Sequence, residues 1–152
     1  MRIVFLGTTT FSKNCLESVI NFKKINLVGI ISSKKNFSIS YSKKKIKNFR
    51  YSDLSSIGKK NNIPFFIVDK GMKSISLLKK VKKLKPDMFL VVGWYYNLSK
   101  EWLKIAPAFG LHSSLLPDYK GGAPLVWAMI NQEKRTGITL FKLKKKIDSG
   151  LI

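Results

Sequence analysis

The sequence predicts an α/β domain: an open, mostly parallel sheet with helices on both faces. Three observations lead there. Residues 2–6 and 27–31 are apolar runs of strand length, and between them Cys15, Leu16, Val19 and Ile20 form one helical face. A strand–helix–strand order of this kind makes a right-handed crossover and a parallel pair. Residues 88–92, Met-Phe-Leu-Val-Val, are apolar throughout, as befits a central strand covered on both faces. Another apolar run ends at His112, and a turn over residues 113–120 leads to a helix opened by Pro124. Proline suits a first helical turn, where its missing N–H is not needed.

In chain order, Gly7 ends the first strand and Ser12 is placed to cap a helix reaching about Phe22. The turn Gly7-Thr8-Thr9-Thr10 lacks the Gly-x-Gly-x-x-Gly spacing of a dinucleotide fingerprint, which argues against NAD. Residues 32–51 are rich in Ser, Lys and Asn around Lys43-Lys44-Lys45, and a surface loop is the reading their low apolar content favours. Ser52 or Asp53 is placed to cap a short helix to about Lys60, and residues 64–68 read as a third strand. Ile75, Leu78 and Val81 recur at helical spacing between lysines, giving an amphipathic helix over residues 74–84 that Pro86 ends. After the central strand come Gly93, Trp94, Tyr95, Tyr96, Asn97 and Leu98, core or ligand wall with equal reason, and Ser99 is placed to cap a helix through Ile105. Leu125, Ala128 and Met129 put one apolar face on the helix that follows Pro124, and residues 138–143 form the last strand. There are no internal repeats and no domain boundary.

Composition bounds the function. A chain of 152 residues, 45% hydrophobic and 24% charged, is one globular domain. Its single cysteine, Cys15, rules out an internal disulfide and a cysteine-rich metal site, and fits a reducing cytoplasm. No apolar run approaches the ~18 residues a membrane span needs. The formal net charge of +21 and pI near 10.2 fit a polyanion partner. Against this, only Arg2, Arg50 and Arg135 are arginines among 29 basic residues, although arginine is favoured where phosphate is gripped bidentately. Charge alone leaves nucleic acid and biased composition even.

The residues that carry chemistry lie between 109 and 124. His112 is the chain's only histidine, and a lone histidine is more often structural than catalytic. At the carboxyl end of a strand in an open α/β sheet, however, it stands at the mouth of the ligand crevice. Gly121 and Gly122 let backbone approach a ligand closely, and the helix start near Pro124 presents N–H groups suited to an anion.

The elements His112-x-Ser114-Leu115-Leu116-Pro117 and Gly121-x-Ala123-Pro124 resemble the signature of the 10-formyltetrahydrofolate-dependent formyltransferases. The likeness continues through Thr136-Gly137-Ile138-Thr139-Leu140 to Ile147-Asp148-Ser149-Gly150 and includes the opening Met1-Arg2-Ile3-Val4-Phe5-Leu6-Gly7-Thr8. It thins between residues 32 and 87. The resemblance implies a Rossmann-like fold and a formyltransferase N-terminal catalytic domain, here residues 1–152 of a longer one. It implies formyl transfer from 10-formyltetrahydrofolate to an amine, without a metal, in the cytoplasm. By the same resemblance His112 and Asp148 are catalytic. The donor is held by Tyr96, Asn97, Leu98, Ser114, Leu115, Leu116, Pro117 and Lys144, and the acceptor by Lys120, Gly121, Gly122 and Pro124. Without the motif, Asp148 would read as a turn aspartate. With it, a carboxylate beside an imidazole favours the protonated ring.

Gly110 departs from the pattern. The family usually has asparagine two residues before the histidine, donating to the developing oxyanion. Losing one such donor costs ~10²–10³ in turnover, unless Asn97 or a backbone N–H replaces it. The acceptor reading divides. Gly122, where amino-sugar enzymes tend to carry arginine, and the basic charge favour a methionyl-tRNA-like acceptor. Tyr95, Tyr96 and Trp127 favour an amino-sugar nucleotide. A remnant or basic polyanion-binding module without turnover is the alternative of another class.

Overall fold

A computed structural model describes residues 1–37, 46–68 and 71–152. Six strands form one sheet in the order β5-β2-β1-β6-β7-β8, with β1 Arg2–Gly7, β2 Asn26–Ser33, β5 Phe65–Val68, β6 Met88–Val92, β7 Ala108–His112 and β8 Thr139–Lys142. All neighbours are parallel except β8, which runs antiparallel on β7 at the edge, with His112 opposite Thr139. A second, two-stranded antiparallel pair joins β3 Asn36–Phe37 to β4 Ile46–Lys47. The helices are α1 Thr10–Ile20, α2 Ser55–Lys60, α3 Ile75–Lys83, α4 Lys100–Leu103 and α5 Pro124–Ile130.

Strand alternation divides the core between the two faces. Val4 and Leu6 of β1 join Phe89, Val91, Val81 and Trp102 on one side. Phe5 joins Leu16, Ile30, Leu54 and Val92 on the other. Helices therefore cover both faces, and the expected open, mostly parallel sheet is what forms. Trp102 donates its buried indole N–H to Met72 O at 2.8 Å, which ties α4 to the segment before α3. Arg2 donates to Leu84 O and Lys85 O just past α3, a cation at a helix C-terminus. One of the three arginines is thus structural. Among the described residues no helix is long and apolar enough to cross a membrane.

Several local expectations change. Thr9, not Ser12, caps α1. Thr9 accepts from Ser12 N, and the Ser12 hydroxyl accepts from Thr9 N in return, a reciprocal box that starts the helix three residues earlier. Leu54 precedes α2, while the Asp53 carboxylate accepts from Ser55 N. Ser99 starts α4 but bonds Glu101 rather than a helix N–H, and α4 stops at Leu103. The surface loop expected over residues 32–51 is partly ordered: residues 32–33 belong to β2, β3 pairs with β4, and Asn48 is buried with its amide on Thr8 O. Its lysine run falls outside the described residues. Cys15 is only partly buried, against the α1-side core, and burial pushes its thiol pKa up.

Candidate active site

β7 delivers His112 to the carboxyl end of the sheet. β8, antiparallel beside it, puts Phe141 against the ring edge with centroids 6.3 Å apart. The loop after His112 is held from within. The buried Ser114 hydroxyl donates to Asp118 O at 2.7 Å, and Thr139 Oγ1 donates to Ser114 O while accepting from Leu116 N. The Leu116–Pro117 peptide is cis. Tyr119 adopts a left-handed φ of 53°, and its carbonyl lies 2.8 Å from His112 Nε2. A carbonyl only accepts, so Nε2 carries the proton in that bond.

The other ring nitrogen faces a carboxylate. His112 Nδ1 stands 3.6 Å from Asp148 Oδ2, with both side chains largely buried. Asp148 Oδ2 also accepts from Gly121 N at 2.8 Å, so the glycine turn fixes the carboxylate that fixes the ring. Gly121 needs glycine for its φ of +94°, not for space: a Cβ there, or at Gly122, would meet nothing within 4 Å. At Gly150 the reverse holds, because a Cβ would overlap the Lys142 carbonyl. The Asp-Ser-Gly turn can therefore press against β8 only with glycine as its third residue. Imidazole and carboxylate come from positions 36 residues apart, and only the fold joins them. Together they can hold a proton and pass it on.

Two open clefts share loops with this pair. One, of about 530 Å³, has an apolar floor of Leu103, Pro107, Ala108 and Leu143 and a rim of Lys142, Lys144, Lys145 and Lys146, ending at Ser149. The other, of about 550 Å³, lies beside Leu115, Asp118 and Tyr119, with Lys134 and Arg135 across from them.

The residues singled out in the sequence do not all converge. His112, Asp148 and Gly121 meet directly. Lys144 lines the lysine-rimmed cleft, whereas Leu115 lines the other. Ser114 is sealed inside its own loop, Leu116 is half-buried and Pro117 is exposed. Leu98 is buried in the core beside α4, Tyr96 packs on Phe37 and Trp94, and Asn97 is exposed. Lys120 and Gly122 are exposed, and Pro124 is buried at the start of α5. With seven residues and the left-handed Ala123 at its start, α5 offers no side-chain cap.

Gly110 is buried on β7, two residues from His112 on the same face. A Cβ there would lie 2.7 Å from Leu143 Cδ1 and 3.2 Å from Phe141 Cε1. These side chains occupy the place into which a residue at position 110 would reach. Sequence reasoning missed Tyr119, Glu133 and Thr139, which hold the loop. The tyrosine's own motif neighbours were the available signal.

The fold is an open α/β sheet carrying a histidine–aspartate pair beyond β7, and comparison gives the family. A family model described as Formyl transferase matches residues 1–152, so the chain belongs to the formyl transferase family. Methionyl-tRNA formyltransferases of Clostridium acetobutylicum and Clostridium beijerinckii are 36% and 38% identical over 99% of this chain. The chain spans about half, 47%, of the length of those curated relatives. Among solved structures, a phosphoribosylglycinamide formyltransferase of Bacillus halodurans superposes on the whole chain and 76% of its own length, at TM-score 0.75 and 18% identity. A sugar N-formyltransferase of a Shewanella species superposes at TM-score 0.69 and 15% identity, over 99% of this chain and 54% of that one. At such identities these two attest the fold.

Proposed function

We propose that residues 1–152 belong to the N-terminal catalytic domain of a cytoplasmic formyltransferase. It moves a formyl group from 10-formyltetrahydrofolate to an amine, with methionyl-tRNA as the acceptor. The observation that carries this reading is the His112–Asp148 pair, built from the family's motif residues and anchored by Gly121 N–H. The relatives' name supports the acceptor, and so does the net charge of +21.

The amine attacks the formyl carbon, forming the new C–N bond and placing charge on the carbonyl oxygen. Collapse of this tetrahedral species breaks the bond to the donor nitrogen. The amine loses a proton and the donor nitrogen gains one, and His112 moves it, an effect worth typically ~10²–10⁴ in rate. Asp148 stabilises the protonated ring during that transfer. The donor supplies the activated formyl group. The lysine rim of the cleft at the start of β7, with Lys144 among four ammonium groups, suits the donor's carboxylates, while the formyl end of the donor belongs at His112 at the other end of that strand. The open space over Gly121 and Gly122 leaves room for the acceptor. Exposed Trp127 and Tyr95 favour the second reading, an amino-sugar nucleotide acceptor.

The test is His112→Ala, assayed with methionyl-tRNA and with amino-sugar nucleotides beside the parent chain. Formylation falls about 10²–10⁴-fold, while a stable reduced-folate analogue still raises the melting midpoint of both proteins. At 100 times its Kd the stabilisation is about 2.7 kcal/mol. Undiminished turnover in the variant would end the mechanism. Salt-sensitive polyanion binding with no response to folate would favour the basic module instead.

A further inference from the structure

In the structure both nitrogens of His112 are engaged: Nδ1 faces Asp148, and Nε2 is capped by Tyr119 O. No ring nitrogen is open to an incoming group until that carbonyl withdraws. The Ser114–Asp118 and Gly121–Asp148 bonds hold the chain on either side of Tyr119, and a further grip acts from a distance. The Tyr119 hydroxyl donates to the Glu133 carboxylate and accepts from Asn131 Nδ2 at 3.1 Å. The loop carrying the cap is thus pinned through its side chain to the end of α5.

The end of α5 is shaped for this grip. Gln132 N bonds Met129 O, and Glu133 N bonds Ala128 O at 2.9 Å, the paired bonds of a Schellman turn. The turn's left-handed position is taken by Gln132 (φ 54°) rather than glycine, at a backbone cost of ~1–2 kcal/mol. Tyr119 and Asp148 are also left-handed without being glycine, at φ 53° and 43°. Two such residues, Tyr119 and Asp148, flank the two nitrogens of one histidine, a place where the surroundings impose the backbone. The Glu133 carboxylate also holds the Tyr119 phenol protonated above the usual tyrosine range, so the donor side of the grip persists across ordinary pH.

We propose that Tyr119 and Glu133 are positioning residues forming a latch on His112: their hydrogen bond keeps the Tyr119 carbonyl on Nε2, and the acceptor must open it to reach the ring. The proposal rests on the formyl-transfer reading only for the identity of the acceptor. The latch lowers apparent acceptor affinity by the fraction of molecules that are open, and keeps the ring oriented while no acceptor is bound.

The test uses the parent chain, Tyr119→Phe and Glu133→Gln, each with ¹⁵N-labelled histidine. The imidazole signals are unambiguous because His112 is the only histidine. Phenylalanine keeps the ring and loses only the hydroxyl. Removing an exposed hydrogen bond to a charged group raises the open fraction, and with it Nε2–H exchange with water, by about two- to fivefold. Glu133→Gln shifts exchange in the same direction by less. In turnover, Tyr119→Phe lowers acceptor KM without a matching fall in kcat, which a purely structural role would not do. Unchanged Nε2–H exchange in both variants, with melting midpoints preserved, would overturn the latch. If exchange rises but no protein, parent included, formylates any acceptor, the latch stands and the formyl-transfer reading falls.

Discussion

Two places at the carboxyl edge of this sheet obey opposite rules. The first lies between β1 and β6, where strand order reverses and an open α/β sheet ordinarily takes its ligand. Here it is packed shut. A Cβ at Gly93 would overlap Thr9 Oγ1, and one at Gly7 would stand 2.6 Å from Ser12 Cβ. The Ser12 hydroxyl donates to Val92 O at 2.6 Å, bolting the start of α1 across the switch point. The second place, beyond β7, is open. Gly121 and Gly122 face empty space, and His112, Asp148 and Tyr119 form a polar cluster there. Topology nominates strand ends as binding sites, but side-chain filling decides which of them binds.

Glycine substitutions can break that comparison. Gly93→Ala combines a left-handed φ of +55° with a forced contact, and should destabilise by about 3 kcal/mol. For a domain this size that lowers the melting midpoint by roughly 6–12 °C. A loss under 2 °C would show that the switch point yields. Gly110→Asn returns the missing donor to the open side but drives it into Leu143. The expected loss is about 1–3 kcal/mol with no gain in turnover. Adding Leu143→Ala makes room, and a rise in kcat in the double variant alone would show that the donor's place was merely occupied. Lys144→Gln removes one of four rim ammonium groups, and exposed charges contribute little. Donor KM should rise less than about fivefold, and a larger change would make Lys144 the principal anchor. Gly122→Ala, with nothing within 4 Å, should stay within about ±0.5 kcal/mol in stability. Any effect it has should appear in acceptor KM.

Much of this was legible in residue order. The apolar runs became β1, β2, β6 and β7, because a strand covered on both faces admits little else. Thr9 capping α1 was less legible, since either hydroxyl satisfies the pattern and only the reciprocal bond with Ser12 chooses between them. The spread of Ser114, Leu115 and Lys144 over different surroundings was not legible at all. Neighbours in a motif need not share a cleft once the chain turns, and Ser114 is used up by its own loop.

By itself the sequence determined the fold class and the family, through apolar periodicity and a motif whose residues lie close along the chain. It also nominated His112 and Asp148. Only the tertiary structure decided that these two meet at 3.6 Å, that Gly121 N–H holds the carboxylate and that Tyr119 O covers the ring. Likewise it alone decided that Phe141 and Leu143 fill the space beside Gly110. The physical reason is one of range. Periodicity and turn chemistry act over a few residues and are written locally. Contacts between β7, the Asp-Ser-Gly turn and the end of α5 exist only after the sheet has set the register of every strand.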